Sequence, residues 1–528
     1  MGLKRSIGPI GLMFSAVSGV LGSAWLFSPL YAAQHAGPAS LIAWVVGWFA
    51  MLLIAMTFGE LVTTFPVAGG NARYLHVTHG PLVGFAFSWL LWLGYSSVAP
   101  VETMGVLQYL SSLYPALTHQ VHGVPLLTHV GYGIAAGVLL LMCWLNFYGI
   151  QWVVRYNSVM VWVKMIVPVI IAGFIMWAAF HASNFGSVAG FMPYGLGSVA
   201  TTLSVGGVIF AFAGYAPAIV LAGEAKNPQR TVPLVLVGAL TLCLIVYLLL
   251  QIALIGALPS GALDHGWAHA HYVGDTSPVL GLVSLLGLSS HLKDLIFVTA
   301  ILAPLGTAFI FVATSSRVAY AMGQNGYFPG VFANVSRRGV PLLAVCLNFF
   351  VGILLFFPSP GWQGMVGFLV SAFVLCYGVG PIALLCLRAQ APDVPRAFKL
   401  PCAKLWCAGA FIIANLIVYW TGWGTVSKIL MAIGLGFVVL LAMTLVRRRS
   451  WNIKHGAWIL FYFVCLGFIS YYGDFGGRGL FKAGWDEVSI VTMSIVVLWL
   501  AYLSKLKTCR IEDLVAKDIH EAHETHEA

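Results

Sequence analysis

The chain has 528 residues, of which 60% are hydrophobic and only 8% charged, and its mean hydropathy is +0.93. A soluble protein of this length has no interior large enough to hide that much apolar surface, so the composition excludes a soluble globular class and points to a polytopic membrane protein solvated by lipid. The formal net charge is +10; its distribution between the two sides of a membrane accounts for the excess, so no nucleic-acid partner is expected.

Lys4 and Arg5 precede the first apolar run, a start that resembles a signal peptide. The run is interrupted by glycines and Pro29 and leads into thirteen more, which favours an uncleaved first helix. The apolar segments cover residues 8–33, 38–60, 82–113, 129–149, 157–181, 198–223, 232–257, 291–322, 340–358, 363–387, 405–422, 426–446, 456–473 and 487–504, predicting about fourteen transmembrane helices. With the N-terminus inside, 21 of the 26 lysines and arginines fall on the cytoplasmic side. Only Lys293, Lys428, Arg478 and Lys482 fall outside. This positive-inside bias predicts a multi-pass protein of the cell (inner or plasma) membrane with both termini cytoplasmic.

The remaining cation, Lys164, stands in the middle of Val159-Met160-Val161-Trp162-Val163-Lys164-Met165-Ile166-Val167-Pro168. It lies about nine residues past Arg155, roughly 13 Å of helix and near half the bilayer core. A charge there costs roughly 2.5–3.5 kcal/mol on insertion scales and is rare without a function; the other reading is a lysine that snorkels to an interface. Glu102, in Val98-Ala99-Pro100-Val101-Glu102-Thr103-Met104, is the second deep charge, late in a helix that starts inside. Its readings are proton exchange or substrate contact, or a structural partner for the protein's own polar groups. Glu60 and Glu224 lie at the cytoplasmic rim, where pairing with loop arginines or helix capping is expected.

Two segments carry backbone irregularities in matching places. The first holds Ser18-Gly19-Val20-Leu21-Gly22-Ser23-Ala24-Trp25 and Pro29; the sixth holds Gly206-Gly207 and Phe212-Ala213-Gly214-Tyr215-Ala216-Pro217. Glycine weakens a helix and proline removes a donor, and broken backbone at membrane depth is tolerated only where it lines a cavity or is buried in protein. Such a pair, five helices apart, fits an inverted repeat with a binding site between its halves; close-packing glycines between helices are the alternative.

The cytoplasmic stretches Phe65-Pro66-Val67-Ala68-Gly69-Gly70 and Glu224-Ala225-Lys226-Asn227-Pro228-Gln229-Arg230-Thr231-Val232-Pro233 are similar to those of the amino acid–polyamine–organocation transporter superfamily, and the resemblance covers nearly the whole chain. Gly22-Ser23-Ala24-Trp25-Leu26-Phe27 and Val418-Tyr419-Trp420-Thr421-Gly422-Trp423 most resemble the bacterial aspartate–proton symporter branch. The resemblance implies an all-α integral membrane fold, a LeuT-like five-plus-five inverted repeat with helices one and six broken. Residues 1–181 would form the first repeat, 198–387 the second, 405–504 four additional helices, and 505–528 a cytoplasmic tail.

The resemblance also implies a site. The substrate carboxylate would rest on the backbone near Gly22, Ser23 and Ala24, and its ammonium near carbonyls around Phe212, Ala213 and Gly214, with Phe212 as an aromatic gate. Members usually carry Gly-Ser-Gly at the first break, so Ala24 narrows the space there. Glu102 would line the pocket. Lys164 matches a lysine that stands in for sodium in sodium-independent relatives, with Thr307 as a further wall; Lys164 and Glu102 would then couple transport to protons.

The function implied is a proton-coupled amino-acid symporter working by alternating access, with aspartate or another acidic amino acid as substrate; an amino-acid or amine exchanger on the same scaffold is the alternative. A membrane enzyme would need a catalytic constellation at depth, and none is visible; a channel would want a continuous polar pore. No cofactor or metal is expected. The nine cysteines are odd in number, lack a Cys-x-x-Cys and mostly lie in apolar segments, which reads as core packing. His265, His269 and His271 read as solvated loop residues or sensors. The His520-Glu521 to His526-Glu527 repeat reads as a flexible tail or a metal ligand set.

Overall fold

The computed structural model describes residues 6–507 except 67–69, 122–123, 187, 273, 275–276, 358–360, 448–452 and 483. Lys4, Arg5, Val67-Ala68-Gly69, Arg448, Arg449 and the 508–528 part of the tail, with its His-Glu repeat, lie outside the described residues.

The described chain is overwhelmingly helical. In order it forms α1 (Pro9–Val20), α2 (Ala24–Ala36), α3 (Ser40–Thr64), α4 (Asn71–His79) and α5 (Pro81–Leu110), then an antiparallel hairpin, β1 (Thr118–Val121) and β2 (Val124–Leu127). There follow α6 (His129–Asn146), α7 (Ile150–Ala179), α8 (Gly195–Ser204), α9 (Val208–Ala213), α10 (Ala216–Val220), α11 (Pro228–Ala257), α12 (Pro278–Leu285) and α13 (Ser290–Gln324). The chain closes with α14 (Leu342–Leu354), α15 (Gly361–Tyr377), α16 (Val379–Gln390), α17 (Ala403–Trp420), α18 (Trp423–Arg447), α19 (Ala457–Tyr472) and α20 (Trp485–Ser504).

Each of the fourteen predicted apolar stretches coincides with helix. The count of membrane-length spans differs: among the described residues ten helical stretches are long and apolar enough to cross a bilayer, or eleven if α8 and the 208–224 stretch, bent by 45°, count as one. The difference has local causes. α1 is cut off at Val20, α14 and α19 are short, and α2 runs into α3 through a single 3-10 turn at Gly37–Ala39. The fifth predicted helix, 157–181, begins seven residues earlier, because Arg155 and Asn157 sit within the first turns of α7 rather than in a loop. Lys164 is therefore the fifteenth of 30 residues, about 22 Å from either end.

α1 packs among α7, α10, α11 and α13; α5 lies against α13 and α15, and α11 against α3 and α7. The last four helices flank this core: α17 rests on α3 and α16, α18 on α5 and α15, and α20 on α17 and α19. Large apolar side chains that would be intolerable in water, among them Trp177, Leu196, Leu405 and Leu445, cover the outer surface, as expected where lipid is the solvent. The protein is thus a multi-pass membrane protein.

The end of α20 is tied to α4. Leu506 N–H donates to Thr78 O at 2.9 Å, and Gln390 Nε2 donates to Leu506 O at 2.7 Å and to Thr78 O at 3.2 Å. His79 lies 2.8 Å from Ala501 O through Nε2. Burial pushes the His79 ring down to about 4, so it is neutral near pH 7 and its Nε2–H is the donor to that carbonyl.

Candidate functional site

The centre of the bundle is built on a break between α1 and α2. α1 ends when Leu21 leaves the helical region (φ −86°, ψ 72°), and α2 restarts at Ala24. A break leaves carbonyls unpaired behind it and N–H groups unpaired ahead of it, with partial negative and positive charge respectively. Side chains from four other helices satisfy them.

Lys164 of α7 serves the carbonyl side. Its Nζ donates to Ser18 O at 3.0 Å, Ser18 Oγ at 2.8 Å and Thr307 Oγ1 at 2.8 Å. Three acceptors match the three N–H groups of an ammonium. Lys164 is fully buried, so the snorkelling geometry is not the one adopted. Thr307 of α13 donates to Ser18 O at 2.6 Å, and Tyr247 of α11 donates to Val20 O at 2.8 Å.

Glu102 of α5 serves the N–H side, accepting from Ser23 N–H at 2.7 Å. A Cβ on Gly22 would strike this carboxyl group, so glycine is required for the approach. A buried hydrogen bond of this kind contributes about 0.5–1.5 kcal/mol. Lys164 and Glu102 thus hold opposite sides of one break, five residues apart along the chain from Ser18 to Ser23.

The second break separates α8 from α9, with Gly207 in the left-handed region at φ 80°, and α9 from α10 at Gly214–Tyr215. Here Tyr377 of α15 donates to Ala213 O at 2.6 Å. The two broken segments touch backbone to backbone, because a Cβ on Gly19 would land on the Gly214 carbonyl and one on Gly214 on the Gly19 carbonyl. Gly22, Ser23, Ala24, Glu102, Lys164, Ala213 and Gly214 therefore belong to the two breaks and the side chains that cap them.

Phe212, which the resemblance implied as an aromatic gate over the substrate, packs on α3 and α11. It is fully buried between Trp44 and Tyr247, with ring centroids at 5.8 and 5.7 Å. Two residues turn a helix by about 200°, so Phe210 faces the other way, 5.6 Å from Trp362. Trp362 of α15 donates to Ser23 Oγ at 2.7 Å and stacks on Phe27 at 4.6 Å. The aromatic cover of the Ser23 end is thus Trp362, Phe210 and Phe27. Sequence reasoning missed Trp362, Tyr247 and Tyr377; for Tyr247 a lone phenol inside an apolar helix was the available signal.

At the end of the bundle that charge bias assigns to the cytoplasm, buried ion pairs tie segments together. Arg317 of α13 donates to Glu224 Oε1 at 2.8 Å, with both side chains almost wholly buried. Ser6 and Ile7 N–H groups donate to Glu224 O, and Lys226 N–H returns a bond to Ile7 O. Glu60 of α3 accepts from Arg388 Nη2 at 2.5 Å and Leu400 N–H at 2.7 Å, with Arg396 Nε at 3.1 Å. The rim glutamates are thus paired with arginines, as the sequence reading expected.

Arg317→Ala leaves Glu224 buried and unpaired, and is expected to destabilise the protein by about 3–5 kcal/mol. The Arg317→Ala/Glu224→Ala double variant should recover most of that loss, read as the apparent melting temperature in detergent.

Among the described residues no three His, Cys, Asp or Glu side chains gather in a way that would hold a metal. His265, His269 and His271 instead line an open cavity in the loop between α11 and α12.

A multi-pass helical protein whose two broken helices meet at mid-bundle, their exposed backbone groups capped by ionisable and hydroxyl side chains, has the build of a secondary transporter. The chain belongs to the amino acid permease family of the amino acid–polyamine–organocation superfamily, whose family model matches residues 7–466. It is 34% identical to the glutamate/serine transporter AimA of Bacillus subtilis (strain 168) over 98% of this chain and 97% of that protein. It is 31% identical to the aspartate-proton symporter of the same organism, over 96% and 98% respectively. The branched-chain amino acid permease BcaP of that organism is 26% identical over 83% of this chain. These relatives are carriers, and the chain is a permease rather than an enzyme.

Proposed function

We propose that the protein is a proton-coupled amino-acid symporter of the bacterial inner membrane, working by alternating access, with both termini in the cytoplasm. Glutamate, aspartate or serine is the substrate class, in keeping with what the two Bacillus subtilis transporters named above carry. On this reading the fourteen helical segments all span, residues 1–181 and 198–387 are inverted repeats, and 405–504 adds four helices.

One observation carries the proposal: Glu102 sits on the Ser23 N–H at one side of the first break while Lys164 sits on the Ser18 carbonyl at the other. The backbone at Gly22, Ser23 and Ala24 is the natural seat for a substrate carboxylate, and Glu102 competes for it through the Ser23 N–H. The substrate ammonium would approach the carbonyls of the second break, near Ala213 and Gly214. Proton uptake by Glu102 would free the Ser23 N–H for substrate. Lys164, filling the place of a coupling cation between α1 and α13, would replace sodium with a fixed ammonium.

The test is radiolabelled uptake into proteoliposomes, competed with a panel of amino acids, with and without an inward proton gradient, in sodium-free buffer. Gradient-driven uptake of glutamate, aspartate or serine that ignores sodium is expected. Sodium dependence would refute the lysine-for-sodium assignment. Uptake that needs internal substrate and no gradient would establish exchange instead.

A further inference from the structure

The additional helices carry a groove that the central site does not use. A cavity of about 320 Å³ opens on the membrane face between α16, α17 and α20, walled by Leu385, Ala408, Ile412, Ile495, Leu498 and Trp499. Lys404 and Tyr502 stand at one end, where the antiparallel α17 and α20 begin and finish. Lys505 Nζ lies 3.8 Å from the centroid of the Tyr502 ring, so two cations flank the same mouth. The segments 399–412 and 495–507 contain Lys399, Lys404, Lys505 and Lys507 and no carboxylate.

The groove has the depth of one leaflet. Lys404 to Ile412 is eight residues of helix, about 12 Å, against about 15 Å for half the hydrocarbon core. At its deep end, where Ser494 lines it, the helices close: Asn415 Nδ2 donates to Ser494 Oγ at 3.0 Å, and Tyr462 donates to Asn415 Oδ1. A partner helix would need a seam across the whole membrane, whereas an acyl chain needs only this half. The positive-inside bias puts the mouth at the cytoplasmic surface, where anionic headgroups gather.

We propose that this groove is a binding site for an anionic phospholipid of the cytoplasmic leaflet, with an acyl chain along α17 and α20 and the phosphate on Lys404 and Lys505. The lipid would brace the inner ion pair from behind. Leu385 lies one turn before Arg388, which holds Glu60, and Lys404 lies four residues after Leu400, whose N–H also holds Glu60.

The test titrates the purified full-length protein with phosphatidylglycerol and, in parallel, phosphatidylcholine of the same chains, reading thermal stability and lipid retained by native mass spectrometry. Wild type should retain and be stabilised by phosphatidylglycerol in preference. Lys404→Gln/Lys505→Gln should lose that preference by about thirtyfold, the effect of two basic residues beside an anionic surface, while Lys404→Arg/Lys505→Arg keeps it. Ala408→Trp, which fills the groove, should lower retention of both lipids. Equal retention of the two lipids by wild type, or an unchanged preference in the double glutamine variant, would overturn the proposal. So would Leu405→Cys cross-linking between copies in native membranes, which would make the face a contact with a second chain.

Discussion

Replacing Lys164 with methionine is expected to lower the initial uptake rate by about two orders of magnitude while the protein still inserts and folds. Methionine keeps the length and apolar stem, and it removes a charge whose insertion costs roughly 2.5–3.5 kcal/mol, so a loss of transport cannot be laid to poorer insertion. What disappears is the threefold contact of Nζ with Ser18 O, Ser18 Oγ and Thr307 Oγ1. Hydrogen bonds from a charged donor contribute about 1.5–3 kcal/mol each. A net loss of about 3 kcal/mol from the braced arrangement of α1 shifts the balance between conformers by about 150-fold.

Lys164→Arg should fare little better. A Cβ on Gly306 would lie 3.0 Å from Lys164 Cε, so the wall is already close, and a planar guanidinium does not fit where a compact ammonium does. Initial uptake rates in proteoliposomes, normalised to protein amount and compared with the melting temperature of each variant, decide the matter. Methionine or alanine variants that keep uptake with an unchanged pH profile would remove Lys164 from coupling.

Lys164 and Glu102 were legible because ionisable side chains are scarce in apolar segments and expensive there. The breaks at residues 18–25 and 206–217 were legible because glycine and proline mark where a helix cannot run on. The aromatic cover was not. Phe210 and Phe212 are chemically alike, and only the helical phase separates the ring facing Trp362 from the ring packed on Trp44. Trp362 itself is one of 18 tryptophans, with nothing in its neighbours to announce a bond to Ser23.

The tie between α20 and α4 was hidden for another reason. It runs through the carbonyls of Thr78 and Ala501, and a backbone acceptor has no sequence signature. Among the described residues fewer than fourteen helices reach membrane length on their own, because hydropathy reads composition over a window, while α1, α14 and α19 end where local backbone geometry stops them.

Glu102→Gln is expected to separate transport from its driving force. Glutamine is nearly isosteric and, neutral like the protonated carboxyl group, yields the Ser23 N–H to substrate while the seat keeps its shape. What it lacks is an exchangeable carboxyl proton. In the proposed cycle, ionised Glu102 holds the Ser23 N–H and excludes a substrate carboxylate, since two anions cannot share one donor in a buried site. Protonated Glu102 yields, and substrate and proton enter together. Acidifying the outside therefore raises wild-type uptake, and each unit of inward pH gradient supports about tenfold accumulation for one coupled proton, or about 1.4 kcal/mol. The glutamine variant should equilibrate substrate without accumulating it, show a flat pH profile, and retain counterflow against preloaded substrate. Retained counterflow is the decisive control, because a misfolded variant loses it too. A Glu102→Gln protein that still accumulates substrate tenfold per pH unit would place the coupling proton elsewhere, and the contact between Glu102 and Ser23 would then be a helix cap alone.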